Sequence, residues 1–167
     1  MSIRIDETLQ KEFMAVVPGH IRFYEPMSRH TTFRIGGPAQ IWAEPSDEDE
    51  LARLLGLAQA AQLPVTVVGG GANLLVRDEG IPGVVVRLKG PGFQKIDRKE
   101  ASGELMVGAA LPLEWLVRRA QELGLGGVEF LAGVPGSVGG AVRMNAGTRD
   151  ESGKMHSMAD VVKSVQV

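Results

Sequence analysis

The sequence predicts an α+β fold. Three observations carry the prediction: helix-period and strand-period segments alternate along the chain, each is short, and two glycine-rich junctions interrupt them. With 167 residues, 44% hydrophobic and 23% charged, the chain can bury one ordinary core or fold as two small lobes. The net charge of −2, with both signs interspersed, leaves no extended positive face for nucleic acid or anionic lipid. The absence of cysteine removes disulfides, thiolate nucleophiles and cysteine metal sites. The polar start MSIRIDETLQ lacks the apolar stretch of a signal peptide, and no apolar run reaches membrane-spanning length. The expectation is a soluble cytoplasmic protein.

Each element follows from local chemistry. In SDEDELARLLGLAQAAQ, Ser46 is the expected helix cap, Asp47 to Asp49 suit the positive N-terminal end, and Leu51, Leu54, Leu55 and Ala58 fall on one face. LPVTVV follows, with Pro64 stopping the helix and a β-branched run to Val68 predicting a buried strand. After GVVVRL (Gly83 to Leu88), FQKIDRKEASGELMVGA predicts a hairpin turning near Ser102 and Gly103. PLEWLVRRAQELG predicts a helix with Pro112 at its start, an apolar stripe of Leu113, Leu116, Val117 and Ala120, and Gly124 beyond its end. VVKSVQV, Val161 to Val167, alternates like a strand and reads as cut short.

The first junction is VVGGGANLLV, Val67 to Val76. It is not a Walker loop, because Ala72 and Asn73 stand where Lys-Ser/Thr would close the turn. Nor is it a dinucleotide fingerprint, since Leu74 runs into an apolar stretch that looks like a strand rather than a helix start. Two readings stand. The three glycines make a tight turn between strands, or their unhindered N–H groups form a concave nest that takes a pyrophosphate. The second junction, EFLAGVPGSVGGAVRMNAG (Glu129 to Gly147), is too apolar for a solvent loop. It reads as a buried wall: Gly133, Gly136, Gly139 and Gly140 admit close main-chain approach to a large planar or charged ligand, with Ser137 and Asn145 orienting it. Close-packed turns without a ligand are the alternative.

TTFRIGGPA (Thr31 to Ala39), VVGGGANLLV, GAALPLEWLV from Gly108 and EFLAGVPGSVGGAVRMNAG occur in the order and spacing of the UDP-N-acetylenolpyruvoylglucosamine reductases, the MurB family of peptidoglycan synthesis. The resemblance runs from about His30 to Gly147. It implies a two-lobed FAD-binding domain of the vanillyl-alcohol-oxidase (PCMH) type over 26–150, with lobes meeting near 90–100, an N-terminal extension over 1–25 and the start of a truncated C-terminal region over 151–167. It implies that Gly69, Gly70, Gly71, Ala72, Asn73 and Leu74 carry the FAD pyrophosphate. Along the cofactor it places Gly108, Gly133, Pro135, Gly136, Ser137, Gly139, Gly140, Ala141, Asn145 and Gly147. The implied chemistry is NADPH-dependent, FAD-mediated reduction of UDP-N-acetylenolpyruvoylglucosamine to UDP-N-acetylmuramate, with a UDP-sugar substrate and no metal, nucleic acid or membrane.

Departures from the family pattern are specific. Ala72 replaces a serine, Ala110 a glycine, Arg143 a residue that is frequently aromatic, and TRDESGKM follows Gly147 where the family often has Ala-Tyr-Gly-Gly. The family's Tyr-Arg-x-Ser motif, whose serine donates the proton, and its late glutamate have no counterpart before Val167, so no catalytic residue is assigned. His20, His30 and His156 read as ordinary surface or packed histidines, Arg29 and Arg34 as candidate phosphate contacts, and Asp47 to Glu50 as a helix-end cluster. No histidine or cysteine stands in the glycine loop, so FAD is expected to bind non-covalently. The alternative function is a stand-alone FAD-binding module without turnover, or a truncated gene product. An alcohol oxidase or dehydrogenase of the same fold is a third reading.

Overall fold

A computed structural model describes residues 5–99 and 102–166. The chain forms two compact units, Met1–Phe93 and Gln94–Val167. In the first, helix α1 (Glu7–Val16) begins where the Asp6 carboxylate accepts the Leu9 N–H at 2.9 Å. Strands β1 (Ile21–Pro26) and β2 (Pro38–Ala43), helix α2 (Glu48–Ala60), strand β3 (Val65–Val68) and strand β4 (Ile81–Arg87) follow. The sheet runs β1-β2-β4-β3, with β1 antiparallel to β2 and the other three strands mutually parallel.

Period-two alternation gives that sheet two apolar faces. Ile41, Ala43, Val84 and Val86 pack against Phe13 of α1 and Leu54 and Ala58 of α2. Trp42 and Val85 belong to a separate cluster with Met27, Ala39, Val68 and Val76. This second cluster anchors the glycine loop. Where β4 gains a residue against β2, Gly83 takes φ +75 and its N–H is received by the buried Gln40 side chain at 2.7 Å.

The second unit begins with the hairpin of β5 (Ile96–Lys99) and β6 (Glu104–Val107). Helix α3 (Leu113–Glu122) ends as expected: Gly124 takes φ +66, its N–H bonds the Gln121 carbonyl at 3.0 Å, and the Leu125 N–H bonds Ala120 at 2.9 Å. A short helix α4 (Val138–Met144) and the hairpin of β7 (Gly147–Arg149) and β8 (Met155–Ser157) complete it. Leu111, Leu113, Leu116, Leu131, Val138, Ala141 and Met158 form the core.

Several expectations are corrected. The cap of α2 is Asp47, which accepts the Glu50 N–H at 2.8 Å, while Ser46 donates its own N–H to the Glu50 carboxylate at 2.8 Å. The predicted buried strand β3 is instead the sheet's edge, with Val65 and Val67 39% and 68% exposed. Leu74 to Val76 is irregular rather than strand-like. The wall predicted over Glu129 to Gly147 is partly exposed and contains a helix, because the Ser137 side chain caps Val138–Met144. Val161 to Gln166 forms no strand; Val167 lies outside the described residues.

Candidate functional site

The loop leaves the carboxyl end of β3 and packs against the segment that precedes β2. Its shape is set by main-chain contact. Gly71 is buried at φ +71, and a Cβ there would lie 1.9 Å from the His30 carbonyl oxygen. The Thr32 N–H reaches the Gly71 carbonyl at 3.1 Å. Further on, a Cβ on Gly37 would lie 1.9 Å from the Asp78 carbonyl oxygen, and the Gly37 N–H bonds the Arg77 carbonyl at 2.9 Å. TTFRIGGPA therefore forms the cradle of the glycine loop, a role the sequence reading left unassigned.

This docking leaves a donor surface. Gly69, Gly70 and Asn73 are exposed, Ala72 and Leu74 are half-buried, and Leu74 packs against the Trp42 cluster. The N–H groups of Gly70, Gly71, Ala72 and Asn73 donate to no group among the described residues. A run of unpaired amides beside a positive-φ glycine has the donor chemistry a pyrophosphate requires, so these residues fit the phosphate-bearing part of FAD. Ala72 contributes its amide and no hydroxyl.

In the second unit the predicted residues divide into two groups. Gly108 follows β6, its N–H donating to the Lys95 carbonyl at 2.8 Å. Beside it, Gly136 accepts the Leu113 N–H at 3.1 Å, and Gly139 donates to the Ala109 carbonyl at 2.8 Å with space for a Cβ only 3.0 Å from the Ala109 Cβ. Gly139 thus serves packing. Gly140 donates to the Ser137 Oγ at 3.4 Å, and Ala141 is buried in the core. Gly133 and Gly136, at φ +82 and +127, face open space next to exposed Pro135. A ligand can approach this segment at these three positions.

Asn145 and Gly147 lie past α4 and have internal roles. Asn145 caps the helix at φ +46 and accepts the Ala159 N–H at 2.9 Å. Gly147 lets β8 approach, since a Cβ would stand 2.0 Å from the His156 carbonyl oxygen. The Ser137 and Asn145 side chains are therefore engaged by the protein itself. In the TRDESGKM hairpin, Asp150 is held well below the usual carboxylate range by the Ser152 hydroxyl, then His156, then the Lys154 and Ser152 amides. The pair closes the hairpin.

The remaining candidates have ordinary partners. Arg29 lies 3.8 Å from Glu25, Arg34 is exposed at φ +55, His20 is exposed, and His30 is packed. Among the described residues no group of His, Asp and Glu has the arrangement of a metal site. Among the described residues no helix is long and apolar enough to cross a membrane.

A family model described as an FAD binding domain matches residues 39–167. The chain belongs to the FAD-binding domain family. It is 42% identical over 166 residues to the UDP-N-acetylenolpyruvoylglucosamine reductase of Desulfosudis oleivorans, covering 98% of this chain and 51% of the relative. It is 50% identical over 125 residues to the protein of that name from Pelobacter propionicus, covering 74% and 41%. A solved structure, UDP-N-acetylenolpyruvylglucosamine reductase (MurB) from Thermus caldophilus, superposes with a TM-score of 0.61 at 38% identity, over 79% of this chain and 50% of that one. The fold is thus the α+β PCMH-type FAD-binding fold of a flavin oxidoreductase family. The chain spans about half the length of the curated relatives it matches.

Proposed function

We propose that this chain supplies the FAD site of an NADPH-dependent reductase that converts UDP-N-acetylenolpyruvoylglucosamine to UDP-N-acetylmuramate in the cytoplasm during peptidoglycan synthesis. The observation that carries the reading is the row of unpaired amides from Gly70 to Asn73 on a loop fixed from beneath. The names of relatives at 42% and 50% identity support the substrate and reaction.

The residues act by binding and orientation. The Gly69 to Asn73 main chain holds the pyrophosphate, each charge-assisted hydrogen bond contributing about 1.5–3 kcal/mol. Leu74 seats the loop on the sheet. In the second unit, Gly133 and Gly136 offer side-chain-free main chain facing open space. FAD, when bound, supplies hydride transfer from NADPH to the enolpyruvyl double bond. Binding is non-covalent: His30 adjoins the loop, but its side chain is nine-tenths buried and engaged by Glu25. A second reading is an FAD-binding module that does not turn over.

The experiment that tests the reaction mixes FAD-loaded chain with NADPH and the enolpyruvyl nucleotide anaerobically, following flavin bleaching and recolouring separately. Bleaching by NADPH with substrate-dependent recolouring supports the reductase. Bleaching without recolouring selects the module, and a flavin inert to NADPH contradicts the proposed electron donor.

A further inference from the structure

The His30 side chain is nine-tenths buried, and its main chain lies against the glycine loop at Gly71. We propose that His30 is a positioning residue that locks the glycine loop into its anion-binding shape. The inference rests on the reading of that loop as the pyrophosphate site.

The imidazole is held on two sides. Its Nε2 meets the Glu25 Oε1 at 2.9 Å, and its ring stacks on Trp42 with centroids 3.9 Å apart and planes 21° from parallel. Both partners are themselves fixed. Trp42 is fully buried on β2, where its indole N–H has no partner among the described residues, so packing and the stack alone hold the ring. Glu25 is buried at the end of β1 and receives Arg22 at 3.5 Å and Arg29 at 3.8 Å besides the histidine. His30 is thus tied to both antiparallel strands of the sheet.

The same residue's main chain forms the seat of the loop. The His30 N–H closes onto the Met27 carbonyl at 2.8 Å, and its own carbonyl oxygen occupies the space a Gly71 side chain would need. Thr31, buried, ties its hydroxyl to the Ile35 carbonyl at 2.9 Å, and Thr32 donates to Gly71 at 3.1 Å. Through these contacts the ring sets the orientation of the Gly71 peptide, and the Gly71 peptide sets whether neighbouring amides converge. A nest binds an anion well only when its donors are already aligned, because ordering them on binding costs affinity.

Two near-isosteric variants of the full chain separate this role from bulk packing. His30→Gln keeps a planar group able to donate to Glu25, whereas His30→Phe keeps the stack and removes the donor. FAD affinity, thermal midpoint and amide exchange at Thr32 are measured on each. The Phe variant should weaken FAD and speed Thr32 exchange by about ten-fold or more at an unchanged midpoint, and the Gln variant should stay within about three-fold of the parent. A folded Phe variant with parental affinity and exchange overturns the proposal, as does a Gln variant impaired like the Phe variant. Should His30→Phe fail to fold, exchange in the unaltered chain decides: Thr32 protected like β2 and β4 supports the lock, and Thr32 exchanging like an open loop refutes it. An unaltered chain that binds no FAD would remove the pyrophosphate reading while leaving the exchange test of the lock intact.

Discussion

Replacing Gly71 with alanine perturbs the loop at its tightest point. The added Cβ would stand 1.9 Å from the His30 oxygen and 3.1 Å from the Thr31 Cα, so the two main chains must separate by roughly 1 Å to reach even the shortest real contact. Left-handed backbone costs an alanine about 1–2 kcal/mol, and losing the Thr32–Gly71 hydrogen bond costs about 0.5–1.5 kcal/mol more. The combined loss is about 1.5–3.5 kcal/mol, or roughly 6–28 °C in the midpoint of a unit of this size. Gly133→Ala is the comparison, because Gly133 has φ +82 and nothing within 4 Å of a Cβ. It should cost about 1–2 kcal/mol, the backbone term alone. Thermal and urea unfolding followed by circular dichroism measures both. A Gly71→Ala midpoint equal to that of Gly133→Ala, or within about 2 °C of the parent, would refute the docking argument.

Three further outcomes follow from the same reasoning. Gly56 lies exposed within α2 with nothing within 4 Å of a Cβ, so Gly56→Ala should stabilise the first unit by about 0.5–1 kcal/mol in urea unfolding. Asn145→Ala loses both a residue tolerant of φ +46 and the acceptor for the Ala159 N–H, and should destabilise the second unit by about 2 kcal/mol on denaturant titration. Asp150 has a depressed folded value, so its contribution to the β7–β8 hairpin is present above the unfolded value near pH 4 and disappears as pH falls through the folded one. Its carboxyl carbon resonance should therefore hold the ionised shift well below pH 4, and Asp150→Asn should abolish the acid dependence of hairpin amide shifts.

Much of the fold was legible where one local signal dominates. Of the stripe Leu113, Leu116, Val117 and Ala120, three are buried as read and Val117 is half-buried against the same core, and Gly124 ends the helix in left-handed backbone. The hairpin turn at Ser102 and Gly103 followed from its chemistry, with Gly103 at φ +67. Errors arose where tertiary contact decides. Ser46 and Asp47 are both competent caps, and the Glu50 carboxylate recruits the Ser46 amide and leaves the cap to Asp47. The apolar run of β3 reads as buried, but pairing with β4 on one side leaves it at the edge. Val161 to Gln166 alternates like a strand and pairs with none, its Lys163 instead meeting Glu104 on β6.

The site was legible as a set of glycines and not as a division of labour among them. Composition treats Gly71, Gly139 and Gly147 like Gly133 and Gly136. The structure separates three that accommodate other main chain from two that face open space. That difference depends on what lies opposite each Cα, which no short motif encodes. His30 was read as an ordinary surface or packed histidine, and it is packed; that its main chain supports the loop depends on the pairing of β1 with β2.

The claim that the Gly69 to Asn73 amides hold the FAD pyrophosphate is tested most directly by recording the amide resonances of isotope-labelled chain during titration with FAD. The account predicts saturable shifts concentrated at Gly70, Gly71, Ala72 and Asn73, reproduced in part by ADP and lost with Gly70→Val in a folded protein. Saturable binding that leaves those four amides unmoved, or a folded chain that binds no FAD, would contradict it.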